Sequence, residues 1–249
     1  MNRDDIRYYL DSTFLKTTAD GLTEKELRQA AFATVDEAIK EGFRAVMLRP
    51  DQVPGAIARI RAAKAKTLCG TVIDFPEGKG GVEKKLAELQ QALDDGADEV
   101  DVVCDYQAFR HGDEERVRTE VAACTDLALS HHKTIKWILE TAALSDGEIV
   151  RLTALVRNTV IRRVKEDRYP HVFLKSSTGF FPVTGGAGNG ATPEAIVMML
   201  ENACPLPVKA SGGIRDFETA QAYIRLGVSR IGTSSAKAIA EGRVSTSTY

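Results

Sequence analysis

Two lysines stand where a lysine is costly. Lys175 ends the apolar run Val172-Phe173-Leu174, and the hydroxyl and glycine residues of "SSTG" follow at once. Lys209 lies inside "PVKAS", again among apolar and small residues. A free lysine near neutral pH is almost wholly protonated and is no nucleophile. Burial disfavours the ammonium form, and a second cation beside it disfavours it further. One lysine of such a pair suits a Schiff-base nucleophile, and the other suits the role of depressing it. Asp101, in the run "EVDVV", supplies a carboxylate for moving protons while an imine forms and hydrolyses. Glu99 and Val103 share its side of a strand by alternation. The competing reading is an Asp–Lys salt-bridge network without chemistry. For any one residue that reading is preferred. For three of them on strands facing one cavity, an active site is preferred.

A second group of residues suits an anion. "ASGGIRD" follows Lys209, and "IGTSSAKA" lies further on. The backbone N–H groups of Gly212, Gly213, Ser234 and Ser235 can wrap a phosphate, because glycine lets the chain approach closely. Tight turns and a helix cap are the plain alternative for each segment. The pair of segments together, after a strand lysine, favours a phosphorylated substrate. "TGGAGNGATPE" (184–194) is glycine-rich but lacks the Gly-Lys-Ser/Thr of a nucleotide-binding loop. It suits either a flap or a plain connection.

These residues need elements to hold them. Short β-like runs fall at 7–12, 44–48, 67–75, 99–104, 134–140, 171–176, 207–211 and 229–233. Several are almost wholly apolar, as parallel strands buried on both faces are. Amphipathic segments alternate with them at 23–42, 52–65, 81–95, 113–131, 145–166, 192–202, 216–226 and 234–241. Thr23 with Glu26 reads as a capping box, and Gly42 as a helix stop. Eight strand–helix pairs in 249 residues predict a single-domain (β/α)₈ barrel, the TIM-barrel fold, over residues 1–249. Residues 241–249 form a polar tail. An open doubly wound sheet is the alternative, but "GTVIDFPEGKGG" (70–81) does not carry its dinucleotide fingerprint. In the barrel, strand C-terminal ends point into one cavity. Asp101, Glu140, Lys175 and Lys209 then converge on it, and the loops after strands seven and eight form the usual phosphate site.

Composition narrows the remaining choices. A net charge of −2 and a pI near 6.1 give no bulk attraction to nucleic acid or an anionic membrane. The four cysteines form no C-x-x-C pair and read as reduced thiols of a cytoplasmic protein. The four histidines form no metal-ligand pattern, so a zinc site is not expected, while carboxylate-bound magnesium stays open on this ground. With a lysine amine as the electron sink, neither a metal nor another cofactor is expected. No signal-peptide core or membrane-length apolar run is seen.

At these residues the sequence resembles deoxyribose-phosphate aldolase, a class I aldolase family. The resemblance runs from "LDSTFLK" (10–16) to "GTSSAKAI" (232–239), and "EVDVV", "FLKSSTGF", "VKASGGIR" and "IGTSS" carry it in the same order and spacing. It implies reversible cleavage of 2-deoxy-D-ribose 5-phosphate to D-glyceraldehyde 3-phosphate and acetaldehyde, a step of deoxyribonucleotide catabolism. It makes Lys175 the Schiff-base lysine, Asp101 the proton relay and Lys209 the tuning lysine. It puts Asp11, Thr13, Thr178, Gly179, Gly212, Gly213, Gly232, Ser234 and Ser235 at substrate- and phosphate-contacting positions. It offers Tyr249 as a proton-relay tail, with an unstructured end as the equal alternative. It implies a homo-oligomer, with a dimer favoured. Phe180 stands where some members have lysine, and Met47 where several have cysteine. Two further readings stay open: a Schiff-base barrel aldolase with another donor or acceptor, and a sugar-phosphate-binding barrel without catalysis.

Overall fold

A computed structural model describes residues 3–182 and 190–244. Eight parallel strands, β1 to β8, close into one barrel in sequence order. They are Leu10–Phe14, Ala45–Leu48, Leu68–Ile73, Glu99–Val103, Thr134–Ile138, Val172–Lys175, Val208–Ser211 and Arg230–Thr233. The pairing of β1 with β8 makes the closure, so the open doubly wound alternative is excluded. Each expected strand is present; seven are shortened at one or both ends, and β1 is shifted from the expected 7–12 to Leu10–Phe14, because Arg7–Tyr9 form a turn of 3-10 helix.

The helices follow the expected alternation. A short α1, Arg3–Ile6, precedes the barrel, and the outer ring begins with α2, Glu24–Glu41. The Thr23 hydroxyl accepts from Glu26 N at 3.3 Å, and the Glu26 carboxylate accepts from Thr23 N at 2.8 Å. These two bonds satisfy donors that a helix start leaves open. Gly42 stops the helix at φ 69°, a left-handed conformation that glycine takes without a Cβ penalty. Next come α3, Val53–Ala62, and α4, Gly81–Asp94. The single helix expected over 113–131 is present as α6, Glu114–Ser130, but a separate turn of helix, α5, Tyr106–Arg110, precedes it. Asp105 caps α5 and Asp113 caps α6, so two caps divide the segment. The ring is completed by α7, Asp146–Ile161, α8, Pro193–Ala203, α9, Phe217–Leu226, and α10, Ala236–Ala240.

Strand alternation separates two interiors. Val100, Val102, Ile135, Trp137, Val172, Leu174, Val208 and Ile231 are fully or almost fully buried in the apolar core. Trp137 satisfies its indole N–H on Thr125 of α6, at 3.0 Å. The intervening residues of the same strands face the barrel lumen, and several are charged: Asp11, Glu99, Asp101, Lys136, Lys175, Lys209 and Arg230 are all buried. Parallel pairing sets Lys175 beside Lys209 and Asp101 beside Lys136.

Candidate active site

The lumen charges form one ion cage. Arg230 holds Glu99 with two bonds, Nη1 to Oε1 at 3.0 Å and Nη2 to Oε2 at 2.8 Å, and reaches Asp11 with Nε at 2.8 Å. Lys136 lies 2.7 Å from Glu99 and 2.9 Å from Asp101. Lys209 lies 2.6 Å from Asp11 and 2.8 Å from Asp101. Lys175 reaches one carboxylate, Asp101, at 2.9 Å. Three carboxylates (Asp11, Glu99, Asp101) thus face four cations (Lys136, Lys175, Lys209, Arg230). Buried charges persist only when paired. The cage therefore balances best when one cation gives up its proton, and Lys175 has the least carboxylate support.

The titration of these groups follows from that arrangement. Burial pushes the Lys175 amine down, Lys209 and Lys136 push it further, and Asp101 pulls it back, leaving it at about 8. Burial alone would raise the Asp101 carboxyl, but Lys136, Lys175 and Lys209 hold it well below the usual carboxylate range. Burial would lower Lys136, yet Asp101 and Glu99 carry it above the ordinary lysine value. The cage so holds a carboxylate of low basicity 2.9 Å from an amine that is partly neutral near pH 7.

The chain after Lys175 is fixed by hydroxyls. Ser176 Oγ donates to Ser211 O at 2.7 Å and accepts from Ser211 N at 2.9 Å. The first turn of the loop is thereby stapled to β7. Gly232 is inside β8, facing the lumen. A Cβ there would lie 2.9 Å from both Lys209 Cε and Ser211 Cβ, so glycine makes room for the lysine stem.

The other expected residues fall into three places. Asp11 belongs to the cage. Thr13 is just above it on β1 and donates its hydroxyl to Asp11 O at 3.0 Å. Thr178 and Gly179 are buried at the mouth, where the Thr178 hydroxyl and N–H both donate to Glu140 Oε2. Gly212 and Gly213 follow β7 with φ of 105° and 77°, conformations glycine tolerates. Ser234 is exposed and Ser235 is buried at the start of α10. The Ser235 N–H differs from expectation: it donates to Thr233 Oγ1 at 2.9 Å and is not free for an anion. The Ser235 hydroxyl, by contrast, has no partner among the described residues. Tyr249 and residues 184–189 of the glycine-rich stretch lie outside the described residues. Gly190 at its end packs on Ser177 and accepts from Thr141 Oγ1 at 2.6 Å.

A cleft of about 270 Å³ opens at the barrel mouth. Pro76, Tyr106, Glu140, Thr178, Phe180 and Phe181 are among its walls. Phe75 meets Phe180 edge to face at 5.1 Å, and Arg49 lies over the Phe75 ring at 5.0 Å. A larger cleft of about 360 Å³ lies to one side, lined by Phe14, Lys16, Arg28 and Arg49 among others; no residue of the ion cage lines either cleft, and Glu140 and Thr178, next to the cage, line the one at the mouth.

The family model for DeoC/LacD family aldolases matches residues 15–240. The chain belongs to this aldolase family. It is 36% identical over 250 residues, all of both chains, to the deoxyribose-phosphate aldolase of Clostridium perfringens. It is also 36% identical to that of Thermococcus kodakarensis, covering 97% of this chain and 98% of the other. Among solved structures it is similar to a tetrameric deoxyribose phosphate aldolase from Aeropyrum pernix, with a TM-score of 0.76 at 30% identity, covering 96% of this chain and 91% of that one. A putative deoxyribose-phosphate aldolase from Coccidioides immitis superposes with a TM-score of 0.80 at 28% identity, covering 97% and 86%.

Two members of the cage, Lys136 and Arg230, were not singled out from the aldolase sequence. A signal for each was present: "TIKWI" and "RIGT" place one cation in an otherwise apolar strand, on the face that alternation assigns to the lumen.

Proposed function

We propose that this protein is a class I aldolase that reversibly cleaves 2-deoxy-D-ribose 5-phosphate to D-glyceraldehyde 3-phosphate and acetaldehyde. The observation that carries the reading is Lys175: a buried amine with one carboxylate partner, in a cage whose other cations each have two. Family membership supports the substrate, as does the pair of loops after β7 and β8. The neutral Lys175 amine adds to the C1 aldehyde of the open-chain sugar. The carbinolamine loses water to give an iminium, and Asp101 moves protons in this step. A two-carbon and a three-carbon product require the break at C2–C3. The bonding pair flows into the iminium and leaves an enamine, while the C3 hydroxyl gives up its proton and becomes the aldehyde of glyceraldehyde 3-phosphate. Protonation at C2 and addition of water then release acetaldehyde and restore Lys175. The protein amine is the electron sink, so these bond changes balance without a metal or an organic cofactor.

Lys209 acts in this reading as the cation that keeps Lys175 partly neutral. Asp11 holds Lys209, and Thr13, Thr178 and Gly179 border the sugar. Gly212, Gly213, Ser234 and the free Ser235 hydroxyl receive the phosphate. Tyr249 is proposed as a tail group that assists proton transfer. The whole chain acts as one domain. It works in the cytoplasm, a reading supported by four free cysteines, three of them buried. It assembles as a homo-oligomer, at least a dimer.

Borohydride added with the substrate should reduce the imine and leave an adduct on Lys175, located by mass spectrometry. An adduct on another residue, or none from an active preparation, overturns the assignment. Lys175→Ala should lose turnover by several orders of magnitude and keep its circular dichroism spectrum. Activity unchanged in EDTA separates this mechanism from that of a metal-dependent aldolase.

A further inference from the structure

Glu140 is a buried acid at the mouth that the cage does not use. It follows β5, and it is 1% exposed. Its backbone is left-handed, at φ 57° and ψ 61°, which is rare for a residue other than glycine, asparagine or aspartate. The ladder to the next strand shows why. Leu139 N donates to Lys175 O at 2.9 Å, but Thr141 N donates to Ser176 O, at 3.0 Å. Two residues advance on one side against one on the other, and Glu140 is the extra residue. Such bulges re-aim a side chain and recur beside active sites. Strain of this kind persists where the surroundings enforce it.

The bulge aims the carboxylate into the 270 Å³ cleft. Its Oε2 takes both donors of Thr178. Its Oε1 is buried, and no hydrogen bond reaches it among the described residues. Burial raises this carboxyl, against the hydroxyls of Thr178 and Ser177 and the charge of Lys175. Glu140 is two residues beyond Ile138, the register partner of Lys175. The flanking bonds to Lys175 O and Ser176 O place Glu140 beyond the lysine's own level, so Oε1 belongs to the layer above the lysine. A sugar chain fixed to the lysine at C1 extends into that layer with the carbons beyond C2. An unpaired buried acceptor there asks for a hydroxyl.

We propose that Glu140 Oε1 binds the hydroxyl next to the carbonyl of the acceptor aldehyde, and so selects hydroxylated acceptors. The inference rests on the aldolase reading, in which that hydroxyl is the one at C4 of the bound sugar. A site built to pair a hydroxyl rejects analogues that lack it, because its own polar group is then left unpaired.

The test runs the reaction in the direction of synthesis, with acetaldehyde as donor. D-Glyceraldehyde 3-phosphate is compared with 3-oxopropyl phosphate, which keeps the phosphate and lacks the hydroxyl. The wild type should prefer the hydroxylated acceptor in kcat/KM by on the order of 100-fold or more. Glu140→Ala should bring the two acceptors within a few-fold of each other. In Glu140→Gln the donors of Thr178 hold the amide oxygen and turn the NH2 group to the free position. That variant should lower the preference at least about tenfold, and it decides the matter if the alanine variant does not fold. Equal use of the two acceptors by the wild type overturns the proposal. A preference unchanged in a folded variant, even one with reduced activity on both acceptors, also overturns it. Acetaldehyde alone has no hydroxyl to bind, so borohydride should trap it on Lys175 in every variant. Failure of that trapping in the wild type would instead strike the aldolase reading.

Discussion

At the scale of the residue, the decisive quantity is the proton on Lys175. An amine held at about 8 is roughly one-tenth neutral at pH 7, about 300-fold more than an unperturbed lysine. The nucleophile is the neutral form, so kcat/KM should rise with pH to a plateau above about 8 and fall tenfold per unit below it. Two substitutions should move that limb in opposite directions. Lys209→Met removes a cation that depresses Lys175, so the limb should move to higher pH, costing on the order of tenfold at pH 7. Asp101→Asn removes the carboxylate that raises Lys175, so the limb should move to lower pH while the plateau itself drops. Profiles of kcat/KM against pH for the three proteins make the comparison. A limb that stays in place in both variants would mean that another group controls it.

At the scale of the element, the site depends on loops held from outside the barrel. Lys85 on α4 and Glu120 on α6 are both fully buried and form an ion pair. Lys85 also donates to Gly78 O at 2.7 Å, and Glu120 accepts from Asp105 N at 2.7 Å. The pair therefore ties the loop after β3 to the loop after β4, and Pro76 and Tyr106 on those loops wall the mouth. Glu120→Leu takes from the buried Lys85 ammonium its nearer carboxylate and leaves it only Asp74 at 3.7 Å, which should cost about 3 kcal/mol in urea denaturation. The double variant Lys85→Met with Glu120→Leu should recover most of that loss, because two apolar groups replace two charges. Its KM should still rise, since the two loops are no longer tied.

At the scale of the whole molecule, the cage makes the barrel interior a charge lattice. The Asp11, Glu99 and Asp101 carboxyls lie below their ordinary values, held there by Arg230, Lys136, Lys175 and Lys209 against the effect of burial. The unfolded chain then binds protons at higher pH than the folded one does. Their stabilisation is complete above the ordinary carboxylate value of about 4 and is lost as the pH falls below it. Denaturation midpoints should drop steeply below about pH 4, where these carboxylates take up protons. Light scattering of the intact chain checks the assembly: a mass of one subunit at micromolar concentration would remove the proposed oligomer.

What the sequence determined by itself was everything local or periodic. Apolar runs such as "VFL", the capping pair Thr23 and Glu26 and the stop at Gly42 depend on near neighbours, and their alternation was enough for the barrel. Lys175, Asp101 and Lys209 were legible because each interrupts an apolar strand. Tertiary structure alone decided the pairings. That Lys175 has one carboxylate while Lys209 and Lys136 have two follows from barrel closure, which brings Arg230 of β8 to Asp11 of β1 and Glu99 of β4. It also decided that Thr233 occupies the Ser235 N–H, and that Glu140 enters a bulge with one oxygen unpaired among the described residues. A charge in a strand is visible in one dimension. Its partners sit as far as 219 residues away, and only the closed sheet determines which of them it meets.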